Sequence, residues 1–90
     1  MRKDTIIVAY ISPTVKDNTV EYSISYNVFD KKSKKEVSQG VMTRITSKEE
    51  AIKLAREYLN ADRIVVEKFS VDREGNIIFE GVERIGRDEY

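Results

Sequence analysis

Apolar and polar residues alternate with a period of two over much of this chain, as in strands that have one buried face. Val20 to Phe29 shows the pattern most clearly, with an apolar residue at every second position. Glu36 to Ile45 follows after a lysine-rich turn and predicts the partner strand of a hairpin. The expected register places Val28 opposite Val37, Ile24 opposite Val41, Val20 opposite Ile45, and Glu21 opposite Arg44 as an opposite-charge pair.

The first apolar segment, Asp4 to Ile11, is apolar on both alternating faces. This pattern is typical of a central strand that is covered on both sides. Ser12 to Thr19 combines Pro, Asp, Asn and Ser, which are residues that favour turns. We therefore expect the strand to end at Ile11 and a turn to follow.

A helix is predicted to begin at Ser47. Ser47 and Glu50 have the spacing of a capping box, in which each side chain binds the backbone N–H of the other residue. Apolar residues then recur at spacings of three and four, and charged residues fall largely on the other side. The predicted buried face consists of Ala51, Ile52, Ala55, Tyr58 and Leu59. Asn60 is the predicted C-cap, because asparagine tolerates the left-handed conformation that ends many helices.

A second hairpin is predicted from Arg63 to Val71 and from Asn76 to Ile85, around the loop Arg73-Glu74-Gly75. Gly75 can adopt the left-handed conformation that such a loop requires. The favoured register places Val71 opposite Ile77, Phe69 opposite Phe79, Lys68 opposite Glu80, and Val66 opposite Val82. A shift by one residue would place Glu67 opposite Glu80, which is repulsive.

Together these segments predict an α+β fold in the order β-β-β-α-β-β: a mostly antiparallel sheet of about five strands, with one helix packed on one face. We expect residues 1–90 to form a single domain, with residues 86–90 as a flexible tail. The order is similar to the beginning of the ribonuclease H-like fold. That family needs an acidic residue in its first strand, and Ile6 to Ile11 contains none. The resemblance therefore implies a similar order of elements without the catalytic activity of that family.

The composition excludes most of the common types of catalytic site, because the chain contains no His, no Cys and no Trp. It lacks a side chain that titrates near neutral pH, a thiolate nucleophile, and the usual ligands of zinc or iron. Glu67, Glu80 and Glu83 form one carboxylate grouping, but basic residues in the same hairpin favour a salt-bridged surface. We predict that the protein is not an enzyme, has no catalytic or metal-binding residues and uses no cofactor.

The charge is balanced, with 16 Lys and Arg against 16 Asp and Glu, but it is uneven at the tip of the first hairpin. Lys31, Lys32, Lys34 and Lys35 cluster there, and Phe29 lies beside them. One interpretation is a solvated turn that discourages edge pairing. The other is sequence-independent nucleic-acid binding, in which the lysines contact phosphates and Phe29 stacks on a base. The cluster contains no arginine, so bidentate base recognition is not expected.

One helix of the predicted length cannot cover both faces of a five-stranded sheet. The second face is expected to combine apolar residues with a polar strip of Ser23, Ser25, Asn27, Ser38 and Gly40. Such a surface predicts a small interaction module that binds a second copy of itself or another protein. Nucleic-acid binding by the lysine cluster is the alternative.

The segment before Pro13 is too short for a signal-peptide core or a membrane span. We therefore expect a cytoplasmic protein that does not bind membranes. Charged residues make up 36% of the chain, and this proportion, together with the missing Cys, is typical of thermophile proteins.

Overall fold

A five-stranded sheet with one helix on one face makes up residues 4–86, the part of the chain that the computed structural model describes. The strands follow the order β3-β2-β1-β4-β5 in the sheet. β1 pairs parallel with β4, and the other pairs are antiparallel. The elements are β1 (Thr5–Lys16), β2 (Thr19–Asp30), β3 (Glu36–Ile45), α1 (Lys48–Lys53, continued by the π-helical segment Leu54–Tyr58), β4 (Arg63–Val71) and β5 (Ile77–Gly86). The predicted element order is confirmed, and the sheet is mixed. Except for Gly86, the predicted flexible tail lies outside the described residues.

The core lies between α1 and one side of the sheet, which we call the helix face. Small helix residues allow α1 to approach β2 and β3 closely, because alanine adds little bulk between the two layers. The residues buried there are Ala9, Ile11, Ile24, Ile45, Ala51, Ala55, Ala61, Ile64 and Val66. Tyr22 and Tyr26 of β2 pack against this cluster, as the alternation in β2 predicts.

The other side of the sheet, which we call the open face, is not covered by any element of residues 4–86. β1 contributes Val8 and Tyr10 to it, since their neighbours Ala9 and Ile11 point into the core. The prediction that β1 is covered on both sides is therefore wrong. β1 is central within the sheet, but only one of its faces is packed.

β1 also extends further than predicted. It continues through Pro13 to Lys16, and the turn consists of Asp17 and Asn18 alone, both with positive φ (51° and 63°). Asp and Asn are the residues that tolerate this conformation in two-residue hairpin turns. Pro13 is accommodated because β1 pairs with β4 only as far as Ile11. Beyond that point β1 is an edge strand, where a missing N–H costs little.

The predicted register of β2 and β3 is wrong over most of its length because β3 contains two irregularities. Phe29 pairs with Glu36, but Val28 then pairs with Ser38, which leaves Val37 as the extra residue of a bulge. A second irregularity lies between the pairs Ile24–Met42 and Tyr22–Ile45, where Arg44 has a φ of 61°. The predicted pairs Val28–Val37, Ile24–Val41, Val20–Ile45 and Glu21–Arg44 are therefore absent.

The helix begins as predicted, with the Ser47 Oγ accepting a hydrogen bond from the Glu50 backbone N–H at 3.1 Å. Asn60 adopts the predicted left-handed conformation, with a φ of 54°. The last turn is π-helical, and the Leu59 N–H donates to the Leu54 carbonyl at 3.0 Å. A wider turn rotates the later residues relative to an α-helix. Tyr58, predicted to be buried, is consequently 70% exposed.

β4 and β5 follow the predicted register near their turn and depart from it further on. Val71 pairs with Ile77 and Phe69 with Phe79, as predicted, but Lys68 then pairs with Gly81. Glu80 is the extra residue of this bulge, and Gly81 supplies a φ of 132°. The predicted pairs Lys68–Glu80 and Val66–Val82 are absent for this reason.

The turn between β4 and β5 is organised by one carboxylate. Asp72 Oδ1 accepts hydrogen bonds from the backbone N–H groups of Glu74 and Asn76 at 2.9 and 2.8 Å. The hydrogen bond from Asn76 is the largest cause that holds the pKa of the Asp72 carboxyl below its ordinary value. Gly75 has a φ of 83°, which confirms the left-handed position predicted for this loop.

Asp62 joins β4 to β1, a role that the sequence does not indicate. Its backbone N–H donates to the Ile7 carbonyl at 2.8 Å, and its Oδ2 accepts from the Ile7 N–H at 2.9 Å. The side chain thus replaces a backbone carbonyl at the point where the parallel ladder begins.

Candidate interaction surfaces

The lysine-rich turn, residues 31–35, is an ordered loop built around Asp30. The Asp30 N–H donates to the Lys35 carbonyl, and the Asp30 carbonyl accepts from the Lys34 N–H at 2.8 Å. The Asp30 carboxylate also accepts from the Lys32 N–H at 2.9 Å. All residues of the turn are exposed. The turn therefore presents four exposed lysines, Lys31, Lys32, Lys34 and Lys35, within five consecutive residues.

Phe29 lies on the open face at the end of the sheet that carries this turn. It pairs with Ile6 of β1 and Glu36 of β3 and is half-buried. The structure therefore places the predicted stacking residue beside the predicted lysines. Because its side chain is only partly exposed, part of the Phe29 surface is open to a ligand.

Polar side chains pair with one another across the centre of the open face. The Tyr10 hydroxyl donates to Glu67 Oε1 at 2.9 Å, and the hydroxyls of Ser12 and Ser23 lie 3.2 Å apart. The hydrogen bond to Glu67 is the main cause that raises the pKa of Tyr10, with burial second. The polar groups of these four residues are thus hydrogen-bonded in pairs across the strands.

The predicted polar strip is only partly assembled. Ser23, Ser25 and Asn27 share the open face, but Ser38 and Gly40 pair with Val28 and Tyr26 and so lie on the helix face. The cause is the bulge at Val37, because a shift of one residue moves the following side chains to the opposite face.

The carboxylates of Glu67, Glu80 and Glu83 do not form a cluster in the structure. Glu67 binds Tyr10 on the open face, whereas Glu83 pairs with Val66 on the helix face and forms an ion pair with Lys48 of α1 at 3.7 Å. Glu80 occupies the bulge and is exposed. Within residues 4–86, no cluster of three or more metal-ligating side chains is found.

Large apolar side chains are exposed at Val37 and Val41 of β3 and on the part of the second hairpin beyond the β1–β4 ladder, residues 67–81, which we call the β4–β5 arm. The ladder ends at the pair Ile11–Val66, so the arm is paired with no third strand, although its turn lines a shallow groove together with Val15 and Val20. Its base is anchored by an edge contact between the rings of Phe69 and Tyr22, with centroids 6.2 Å apart. Phe79 is 61% exposed, and Ile78 and Val71 are 48% and 44% exposed. The sequence predicts apolar residues, Ile78 or Phe79 among them, on the uncovered face of the sheet, but it does not indicate that they lie beyond the β1–β4 ladder.

The helix of residues 4–86 is neither long enough nor apolar enough to cross a membrane. No family model matches the chain, and comparisons with curated proteins and with solved structures find no significant similarity. The function is therefore inferred from the surfaces described above.

Proposed function

We propose that the protein is a non-enzymatic interaction module that self-associates through the β4–β5 arm. The observation that carries this proposal is the exposure of Phe79, Ile78 and Val71 on a hairpin that pairs with no further strand beyond Val66. Phe79 lies on one face of the arm and Ile78 on the other, so both faces present apolar surface. Phe79 and Val71 share one face of the arm, and neighbouring exposed aromatic and aliphatic side chains are characteristic of binding sites.

A second copy of the chain fits this surface because the charges around the patch are of both signs. Lys68 and Arg73 lie on the arm with Asp72, Glu74 and Glu80. A two-fold symmetric interface brings the same patch of two copies together, so a patch with both signs can match itself. The net charge of zero also removes long-range repulsion between copies.

The backbone of the arm supports the same partner. β5 is an edge strand, and β4 loses its second neighbour beyond Val66. Free strand edges pair readily with another strand, including the same strand of a second copy. Apolar faces and open edges thus coincide on one hairpin.

A cytoplasmic location is part of the proposal, since a chain without cysteine needs no oxidising compartment.

Replacing Phe79 with Asp is expected to convert a dimer into a monomer. The substitution places a charge at the centre of the patch, where burial against a second copy would cost several kcal/mol. Tyr58→Asp is the matched control, because Tyr58 is a similarly exposed aromatic on the helix. Sedimentation equilibrium over a wide concentration range measures the outcome. A wild-type chain that stays monomeric at its highest soluble concentration, or a Phe79→Asp variant that still dimerises, would refute the proposal.

A second candidate function is sequence-independent nucleic-acid binding by the lysine-rich turn. The observation that favours it is the ordered arrangement of four exposed lysines beside the half-exposed ring of Phe29. Phosphate contacts supply affinity without sequence information, and an aromatic ring can stack on a base. The two candidates use opposite ends of the sheet, so one protein can have both.

Changing Lys31, Lys32 and Lys34 together to Gln tests this candidate. We expect weaker binding to single-stranded DNA, and a slope of log affinity against log salt that is reduced by roughly 2, at about 0.7 per lost phosphate contact. Lys16, Lys53 and Lys68 are exposed elsewhere, and changing these three to Gln gives a variant of equal charge. Equal losses in the two triple variants would show that only net charge matters, which contradicts a site at the turn.

A further inference from the structure

Two arginines lie next to each other on the open face, around a concavity at the β4–β5 side. Val8 pairs with Arg63, and Val65 pairs with Arg84, so these four residues share one face of the sheet. They line a concavity of about 370 Å³. Gly86 lies opposite Arg63 and has no side chain to fill the space. Most of the lining is apolar, and the two arginines that contribute to it are exposed.

The bulge in β5 is what brings the two arginines together. Without the extra residue Glu80, Arg84 would pair with Ile64 and point to the helix face, because a shift of one residue exchanges the faces of a strand. With the bulge, Arg84 lies diagonally across from Arg63, at a Cβ separation of roughly 7 Å. Bulges often re-aim a side chain in this way near binding sites.

Neither guanidinium has an ion-pair partner among the carboxylates of residues 4–86. Glu67 lies on the same face of β4, and its carboxylate accepts a hydrogen bond from the Tyr10 hydroxyl. Like charges at neighbouring positions of a sheet repel each other. An anion between them would remove this repulsion, and the apolar side chains of Val8 and Val65 would strengthen the attraction by lowering the local dielectric constant.

We propose that Arg63 and Arg84 form a phosphate-binding site on the open face. The planar guanidinium group binds phosphate through two parallel hydrogen bonds, and two such groups can hold one phosphate from both sides. The site lies roughly 13 Å along β1 from the lysine-rich turn, at about 3.3 Å per residue from Asp4 to Val8. It is separate from the β4–β5 arm, so it stands or falls independently of self-association.

The phosphate could belong to a small phosphorylated ligand or to a nucleic-acid backbone, and one experiment distinguishes these sources. Wild-type protein is titrated with inorganic phosphate, and separately with a short oligothymidylate, at constant ionic strength maintained with chloride. The readout is the NMR signals of the arginine Nε–H groups and of the backbone of Val8 and Val65. We expect saturable shifts at these residues with both probes. An oligonucleotide that binds much more tightly, with shifts extending to Phe29 and the lysine-rich turn, would assign the phosphate to a nucleic acid; similar affinities would assign it to a small ligand.

Arg63→Gln and Arg84→Gln are each expected to weaken phosphate binding about tenfold, since each removes a charge-assisted contact. Arg73→Gln is the control, because Arg73 is exposed at the turn of the arm and away from the concavity. Both test positions are on the surface, so the variants should keep the wild-type backbone spectrum. The proposal is overturned if phosphate causes no saturable shift at Arg63 and Arg84, or if Arg73→Gln weakens binding as much as the other two.

Discussion

Replacing Ile24 with Ala is expected to lower the free energy of unfolding by about 2 to 5 kcal/mol, the range for truncating a fully buried isoleucine. Ile24 is fully buried on the helix face of β2, where it pairs with Ile11 of the central strand. Its truncation leaves a cavity beneath α1. The nearby Ala51 and Ala55 cannot fill this cavity, because a methyl side chain has no rotatable atoms that could occupy it. For a chain of this size, whose total stability is of the order of 5 to 13 kcal/mol, this is a large fraction.

Ile78→Ala provides the matched comparison, because it removes the same atoms from a side chain that is 48% exposed. At concentrations where the chain is monomeric, its cost should be clearly smaller, since little apolar area is lost from the interior. Urea denaturation of both variants, followed by circular dichroism, gives the two differences. Equal costs for Ile24→Ala and Ile78→Ala would contradict the assignment of the core to the helix face.

The sequence predicts the elements of this fold well because their signals are local. The alternation in β2, the N-cap at Ser47 and the left-handed positions of Asn60 and Gly75 each depend on a few neighbouring residues, and the structure contains all of them. The parallel pairing of β1 with β4 joins segments separated by more than fifty residues. It depends in part on Asp62, whose hydrogen bonds to Ile7 have no signature in the sequence.

Register is where prediction fails, and bulges are the cause in both hairpins. The register argument from opposite charges and matched apolar residues assumes one partner for each residue, whereas Val37 and Glu80 are extra residues. An isolated glycine within a strand is a known sign of a bulge, so Gly81 could have indicated the second one. Nothing comparable marks Val37.

The wrong register also limits which candidate binding sites can be found from the sequence. The lysine-rich turn is visible because its residues are adjacent in the chain, and the structure places Phe29 beside it. Arg63 and Arg84 are far apart in sequence, and the predicted register separates them onto opposite faces. The bulge brings them together. A functional surface that depends on register therefore cannot be found before the register is known.

Replacing Gly40 with Ala is expected to destabilise the protein by about 1 to 3 kcal/mol, although alanine is normally the better residue in a strand. Gly40 pairs with Tyr26 across β2 and β3, and the tyrosine ring lies over the glycine on the helix face. A Cβ at position 40 would come within 3.0 Å of three atoms of that side chain, so the ring would have to move. An aromatic ring that covers a cross-strand glycine stabilises a sheet by protecting backbone that would otherwise be exposed.

A double-mutant cycle separates this steric effect from the intrinsic preference of the strand. In a Tyr26→Ala background the ring is absent, so Gly40→Ala should become stabilising by about 0.5 kcal/mol, the ordinary advantage of alanine over glycine. The sign of the Gly40→Ala effect should thus reverse with the residue at position 26, as expected for directly contacting residues. Thermal and urea unfolding of the four chains measures it. If Gly40→Ala has the same sign in both backgrounds, contact between Tyr26 and Gly40 is not what selects glycine there, and the pairing of β2 with β3 must differ from the one described.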